Sequence, residues 1–407
     1  MLVGLLALRA DDRNRPTPSG PAASSPMSVQ HRGVAPPPRH RSPPRARPHG
    51  QSLGSAAIAA ARANGRPPQF VVASFDGAAD RGRYLRWRRV ARRSGARFTF
   101  FVSGVYLLEP SRRDLYDAPG RGRGQSDIGF ANGAGAAAPR QNVVDVLTQI
   151  RHAHWEGHEI GTHYNGHFCG PSGIDTWDAA DWGSEIDQAR ALLVHASTNN
   201  RLRPAIRMPF GARAIVGGRT PCLEGDKDVL YPVLRRKGFR YDASRAADAG
   251  DWPRRITGIW SFPLPLIPLQ GHRYRVLAMD YNFYVNQSGA RRASRASAAA
   301  YEHRVYASYM RYFRSTYRGN RAPISIGNHF AGWNHGAYEN ALERFLVSVC
   351  RRPEVACVPY RRAADWLDAR AARQARDDAP SGASLAGASG STAGPSRTLP
   401  SIANREP

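Results

Sequence analysis

Phe70-Val71-Val72-Ala73-Ser74-Phe75-Asp76-Gly77, residues 70–77, is a short apolar run closed by an acid and a glycine, the pattern of a buried strand that ends in a turn. Tyr84 to Ser94 follows with Leu85, Val90 and Ala91 on one helical face and arginines on the other, and Gly95 stops it. Phe98-Thr99-Phe100-Phe101-Val102 is β-branched and aromatic, a second strand. Strand, helix, strand in this order predicts parallel β-α-β units and an α/β fold. The pattern repeats downstream. Helices are expected over Asn142–Trp155, Glu185–Ala196, Val229–Lys237, Tyr301–Tyr317 and Ala337–Val349, and strands over Phe239–Asp242, Ile259–Leu264, Arg275–Met279 and Pro323–Ile326, with a last element at Ala363–Ala371. Arg112 to Pro139 is Gly-rich and irregular and reads as a surface insertion.

The ends of the 407-residue chain differ from its middle. Residues 1–66 are dense in Pro, Arg, Ser and Ala, and residues 372–407 are mostly Gly, Ala, Ser and Pro, so neither buries enough apolar surface to offset ordering entropy. Both are expected to be disordered, leaving residues 67–371 as one folded domain. The formal charge of +26 invites a nucleic-acid reading, but the only lysines are Lys227 and Lys237, and no helix-turn-helix, zinc-finger or RNA-binding signature accompanies the arginines. No nucleic-acid partner is expected. No run approaches the roughly twenty apolar residues of a membrane span, and Leu2 to Leu8 lacks the basic leader of a secretory signal. Four cysteines, an even number, suit two disulfides and an extracellular or cell-surface location; four buried free thiols are the alternative. Cys350 and Cys357 flank a short turn, and Cys169 and Cys222 would bridge if their segments converge.

His163 and His167 stand four residues apart in a polar, turn-prone segment that begins at Gly157. On a helical turn that spacing puts two imidazoles on one face, and neutral imidazole is a favoured ligand of zinc. Asp76, Asp242, Asp280 and His329 fall where the expected strands stop, which in an α/β barrel is the functional face.

With these residues in view, the chain resembles the polysaccharide deacetylase family over roughly Phe70 to Leu367, with the motifs in family order. Ser74-Phe75-Asp76-Gly77 is similar to the first motif, T-F-D-D-G, with Gly77 in place of the second acid. His163 to His167 matches H-[ST]-x-x-H with Tyr164 in place of the hydroxyl residue. Arg219-Thr220-Pro221 resembles R-x-P, in preference to Arg207-Met208-Pro209-Phe210-Gly211, and Ser325 to His329 resembles the last catalytic strand. The resemblance implies a distorted (β/α) barrel and a divalent cation, Zn2+ first, held by Asp76, His163 and His167. It implies hydrolysis of acetyl groups on an N- or O-acetylated polysaccharide or cell-wall glycan. Asp76 would be base or ligand, with Asp80 supplying the other role, His329 the acid, Arg219 the group that orients the carboxylate, and Asp280 or Asp242 the partner that keeps His329 protonated. Trp260, Tyr281 and Trp333 are candidates for stacking on sugar rings, whereas His158 and Glu159 read as structural. The competing reading is a carbohydrate-binding protein that kept the barrel and lost its chemistry through Gly77.

Overall fold

The computed structural model describes residues 53–133 and 138–378. In chain order the helices are α1 (Leu53–Ala63), α2 (Arg81–Ser94), α3 (Pro139–Trp155), α4 (Ala179–Val194), α5 (Ala196–Asn199), α6 (Lys227–Arg236), α7 (Asp280–Ser288), α8 (Arg295–Arg318), α9 (Trp333–Val349) and α10 (Tyr360–Asp377). The strands are β1 (Gln69–Asp76), β2 (Thr99–Val102), β3 (Asp117–Ala118), β4 (Gly122–Arg123), β5 (Glu159–Thr162), β6 (Gly217–Gly218), β7 (Tyr241–Asp248), β8 (Arg254–Ile256), β9 (Ile259–Pro268), β10 (Arg275–Leu277), β11 (Ile324–His329) and β12 (Val355–Cys357). Of the described residues, those up to Asp365 fall in one compact unit and those from Trp366, the end of α10, in a second.

The large sheet runs β10-β9-β7-β6-β5-β2-β1-β11, with β12 against β1 and β8 against β9. All its pairings are parallel except β8 and β10 on β9. Its two ends meet: Gly327 of β11 donates its N–H to the carbonyl of Ala278 at 3.0 Å, and Met279 bridges Gly327 in parallel. The sheet thereby closes into a distorted barrel, as the sequence led us to expect.

Period two decides what each strand offers to each side. In β1, Phe75 points out to Trp87 of α2, 4.5 Å away between ring centroids, while Ser74 and Asp76 point in toward Arg219. α2 begins at Asp80, whose carboxylate accepts the N–H of Arg83 at 2.7 Å, and ends at Gly95 in a left-handed conformation. Its buried face is Tyr84, Trp87, Val90 and Ala91.

β6 is two residues long and runs against a ring. Gly217 faces Tyr241 across the β6–β7 register, and a Cβ there would lie 2.0 Å from the buried ring. Gly217→Ala is expected to cost about 3 kcal/mol by overpacking. The check is a lower urea midpoint at unchanged m value.

Several elements differ from the sequence reading. Leu53–Ala63 is helical although it lies inside the stretch expected to be disordered, because its alanines form helix at little entropic cost and α1 packs on β12. α10 likewise reaches Asp377, past the expected boundary at residue 371. The rest of the two expected disordered ends lies outside the described residues. Asp280, expected just past a strand end, opens α7, a helix the sequence reading did not include, and β12 went unread because it has three residues. The segment Arg112–Pro139 carries the β3–β4 hairpin and a buried Tyr116, so it is anchored to the domain and not merely a surface insertion.

Candidate functional site

β1 and β11 lie side by side, and their last residues, Asp76 and His329, are register partners. Arg219 enters the barrel just after β6, steered by its N–H bond to the carbonyl of Thr162 at 3.0 Å. Its guanidinium is fully buried and every nitrogen donates: Nε to the Ala243 carbonyl at 2.8 Å, one terminal nitrogen to Ser74 Oγ at 2.8 Å and Asp76 Oδ1 at 2.9 Å, the other to the Tyr360 hydroxyl at 3.0 Å. It also lies over the Phe101 ring, 5.1 Å from the centroid. Burial alone would raise the pKa of Asp76, but the charge of Arg219, helped by His163, His329 and the Arg219 hydrogen bond, carries it below the usual carboxylate value. Asp76 is therefore ionised, and Arg219 occupies one of its two oxygens.

His163 follows β5, its N–H bonded to the Val102 carbonyl at 2.9 Å. Its Nδ1 lies 2.8 Å from the carbonyl of Arg219; because a carbonyl only accepts, Nδ1 carries the proton and Nε2 is left bare. Burial holds the ring below its ordinary pKa against the pull of Asp76. His167 is pushed down to about 3, first by burial and then by His163 and His329, although part of the residue reaches solvent. Both imidazoles are neutral, and their centroids are 5.1 Å apart.

The spacing of this pair is not helical. Tyr164 and His167 take φ of 59° and 58°, and the resulting loop turns both rings inward. Glu185 of α4 fastens the loop: its carboxylate accepts the N–H of Asn165 at 2.8 Å and the hydroxyl of Tyr116 at 2.9 Å, and its backbone carbonyl accepts the Asn165 amide at 3.0 Å. Burial pushes Glu185 up to about 7. Beyond His167 the loop is joined to the segment after Arg219 by the Cys169–Cys222 disulfide; a second disulfide links Cys350 and Cys357.

A cation needs donors that converge. The bare Nε2 of His163 and the neutral ring of His167 fit that need. Among the described residues, the His, Cys, Asp and Glu group whose ligand atoms all lie within 4.8 Å of one another is His167, Cys169 and Cys222, two of them held as a disulfide, so Asp76, His163 and His167 are not all drawn together to that degree. Gly77, where the resembling motif carries its second acid, has φ of +60° and would bring a Cβ to 3.3 Å from the Tyr106 ring. This backbone accepts glycine more readily than an acid.

On the other flank His329 meets Asp280. Nδ1 lies 2.7 Å from Oδ1, and the backbone N–H of His329 donates to Oδ2 at 2.8 Å. Burial works to lower the His329 pKa, but the charge and hydrogen bond of Asp280, with Asp76 behind, raise it above its ordinary value. The ring remains reachable, with 29 % of its side chain exposed. Tyr281 and Trp333 stand 6.4 and 5.4 Å from it, and Trp333 stacks on Tyr284 at 5.1 Å. Trp333 and Tyr284 border a cavity of about 440 Å³ with Arg83 and Arg292.

The structure thus brings together Asp76, His163, His167, Arg219, Asp280 and His329. Arg207 is exposed. Asp242 lies at the start of β7, not at a strand end, and serves Tyr231 and Ser244; Asp80 caps α2; Trp260 is buried under Arg255. His158 and Glu159 are structural, the first accepting the N–H of Phe98 at 3.0 Å and the second the Thr99 hydroxyl at 3.0 Å. Ser74, Tyr360 and Glu185 were missed. Ser74 had a signal, since it sits two residues before Asp76 on the same strand face.

No protein-family model matches the chain, and no curated protein matches it. Similar solved structures include a Mycobacterium smegmatis protein assigned as a polysaccharide deacetylase, at 14% identity over 75% of this chain and 92% of that one, with a TM-score of 0.46. Peptidoglycan deacetylase PdaC from Bacillus subtilis is similar at 11% identity over 76% of this chain and 96% of its own, with a TM-score of 0.39. A family 4 carbohydrate esterase pseudoenzyme from Bacillus anthracis is similar at 8% identity over 73% and 66% of the two chains, with a TM-score of 0.36.

Proposed function

We propose that this chain is a metal-dependent hydrolase, acting outside the cytoplasm, that removes acetyl groups from an N- or O-acetylated polysaccharide. One observation carries the reading: two neighbouring strand ends set Asp76 against Arg219, which lowers its pKa, and His329 against Asp280, which raises its pKa. Titratable neighbours whose environments drive their pKa values apart are the mark of an acid and base pair.

His163 and His167 would hold the cation, with Asp76 nearest among the acids. Zinc suits two neutral imidazoles, and when bound it polarises a carbonyl and acidifies water. Asp76 takes the proton of the attacking water on the oxygen that Arg219 leaves open. Arg219 prevents that carboxylate from turning away. His329, loaded with a proton and fixed by Asp280, gives it to the departing amine or alkoxide. Tyr281 and Trp333 present rings beside His329 on which a sugar can stack. The two disulfides fit an oxidising compartment, and no helix among the described residues is long and apolar enough to cross a membrane.

Acetate release from acetylated chitooligomers and peptidoglycan is the direct assay. Chelator is expected to abolish it, added zinc to restore it, and His163→Ala to lower it by more than about 10²-fold, beyond the effect usual for the groups that merely support a ligand. Full activity in chelator would remove the proposal. Gly77 favours a second reading, a glycan-binding protein without turnover; glycan and zinc binding with no acetate released would select it.

A further inference from the structure

The loop from His163 to Cys169 carries a potential ligand, Cys169, that the first site does not use. We propose a second metal site, His167, Cys169 and Cys222, that forms when the Cys169–Cys222 disulfide is reduced and that takes His167 from the first. The ligand atoms of these residues already lie within 4.8 Å of one another. The spacing fits zinc in particular. Zn–S of about 2.3 Å and Zn–N of about 2.0 Å at a tetrahedral angle put sulfur and nitrogen about 3.5 Å apart, and His167 Nδ1 stands 3.6 Å from Cys169 Sγ.

The site survives loss of the bond that now occupies it, because other ties hold the two loops. Gly170 donates its N–H to the Glu224 carboxylate at 2.7 Å, and Gly225 donates to Asp175 at 2.5 Å, both within three residues after Cys222. All three ligands are half-buried, so a small thiol reaches the sulfurs while the site still excludes most solvent. The chemistry balances. A low-molecular-weight thiol reduces the disulfide, two molecules of it leaving as their own disulfide, and the cation then takes both sulfurs as thiolates with loss of two protons. Water or a chloride fills the fourth position.

Neutral imidazole has a single lone pair, so His167 serves one cation at a time. Two thiolates outbid a lone histidine for zinc, and the pair His163 and His167 is thereby broken. The thiolate site stands on its own residues; its effect on turnover rests on the hydrolase reading above.

Cobalt(II) binding to the metal-free full chain tests the site without any glycan, so its outcome is separate from that of the acetate assay. Oxidised protein is expected to show no sulfur-to-cobalt charge-transfer band in the near ultraviolet. After reduction with a phosphine the band should appear at two-thiolate strength, persist in Cys350→Ser/Cys357→Ser, and vanish in Cys169→Ser/Cys222→Ser. Reduced protein that gains free thiols without the band overturns the proposal. So does a band retained in Cys169→Ser/Cys222→Ser, or loss of the fold on reduction as read by circular dichroism, since the site belongs to the folded chain.

Discussion

Arg219→Met is expected to lower the stability of the domain by about 3–5 kcal/mol and to abolish acetate release, the largest effect of any single change considered. Arg219 is buried completely and Asp76 is 2% exposed, so removing the guanidinium leaves a carboxylate with its principal counter-charge gone and no water to replace it. Ser74, the Ala243 carbonyl and the Tyr360 hydroxyl lose their donor at the same moment. The pH dependence identifies the cause. In the native chain the Asp76 pKa is depressed, so its contribution to stability is present above the ordinary carboxylate value and is lost as pH falls through the folded one. Without Arg219 burial dominates and the folded value rises, so the variant loses stability as pH climbs. The deficit measured by urea unfolding should therefore be large near neutrality and small in acid. Adding Asp76→Asn removes the stranded charge and should return part of the stability and none of the activity. A deficit that is flat across pH would show that packing, not charge, accounts for the loss.

The barrel was legible where a strand is long enough to write its own pattern. Phe70 to Phe75 announces β1 because both faces of that strand are buried, and Asp76 stands out as the acid at its end. β6 could not be read: two glycines against Tyr241 have neither period nor propensity, and only Arg219 beyond them marks the place. α7 was hidden because Asp280-Tyr281-Asn282 follows directly on an expected strand and nine residues are too few to show a helical period clearly. Of the site, Asp76, His163, His167, Arg219, Asp280 and His329 all came from the sequence, Asp280 with Asp242 as its rival for His329. Distance separated those two, since Asp242 spends its carboxylate on Tyr231 and Ser244. The supporting groups lay beyond sequence reasoning. Tyr360 reaches Arg219 from 141 residues away, and Glu185 is an acid buried on a helix whose polar face gave no hint of the loop above it. The two histidines come side by side by another route than the expected helical turn, through two left-handed residues, Tyr164 and His167.

Asp280→Asn removes the charge at the acid end and keeps the size of the side chain. Its single amide oxygen can take one of the two present roles, accepting the backbone N–H of His329, which now donates to Oδ2 at 2.8 Å, or facing Nδ1, now 2.7 Å from Oδ1, and the amide NH2 takes the other place. What disappears is the negative charge that overcomes the burial of His329. A general acid works below its pKa, so turnover of the native enzyme is expected to fall only as pH rises through a His329 value above the ordinary one. In the variant burial prevails, the His329 pKa drops below its ordinary value, and the basic limb of the kcat/KM profile should move to lower pH. At neutral pH the loss should be about 10²–10⁴-fold, the usual worth of a positioned acid, and it should shrink as the assay is made more acidic. His329→Ala should lose as much with no such recovery. A native and an Asp280→Asn profile with the same basic limb would mean that Asp280 only anchors the turn between β11 and α9, and the departing group would need another proton donor.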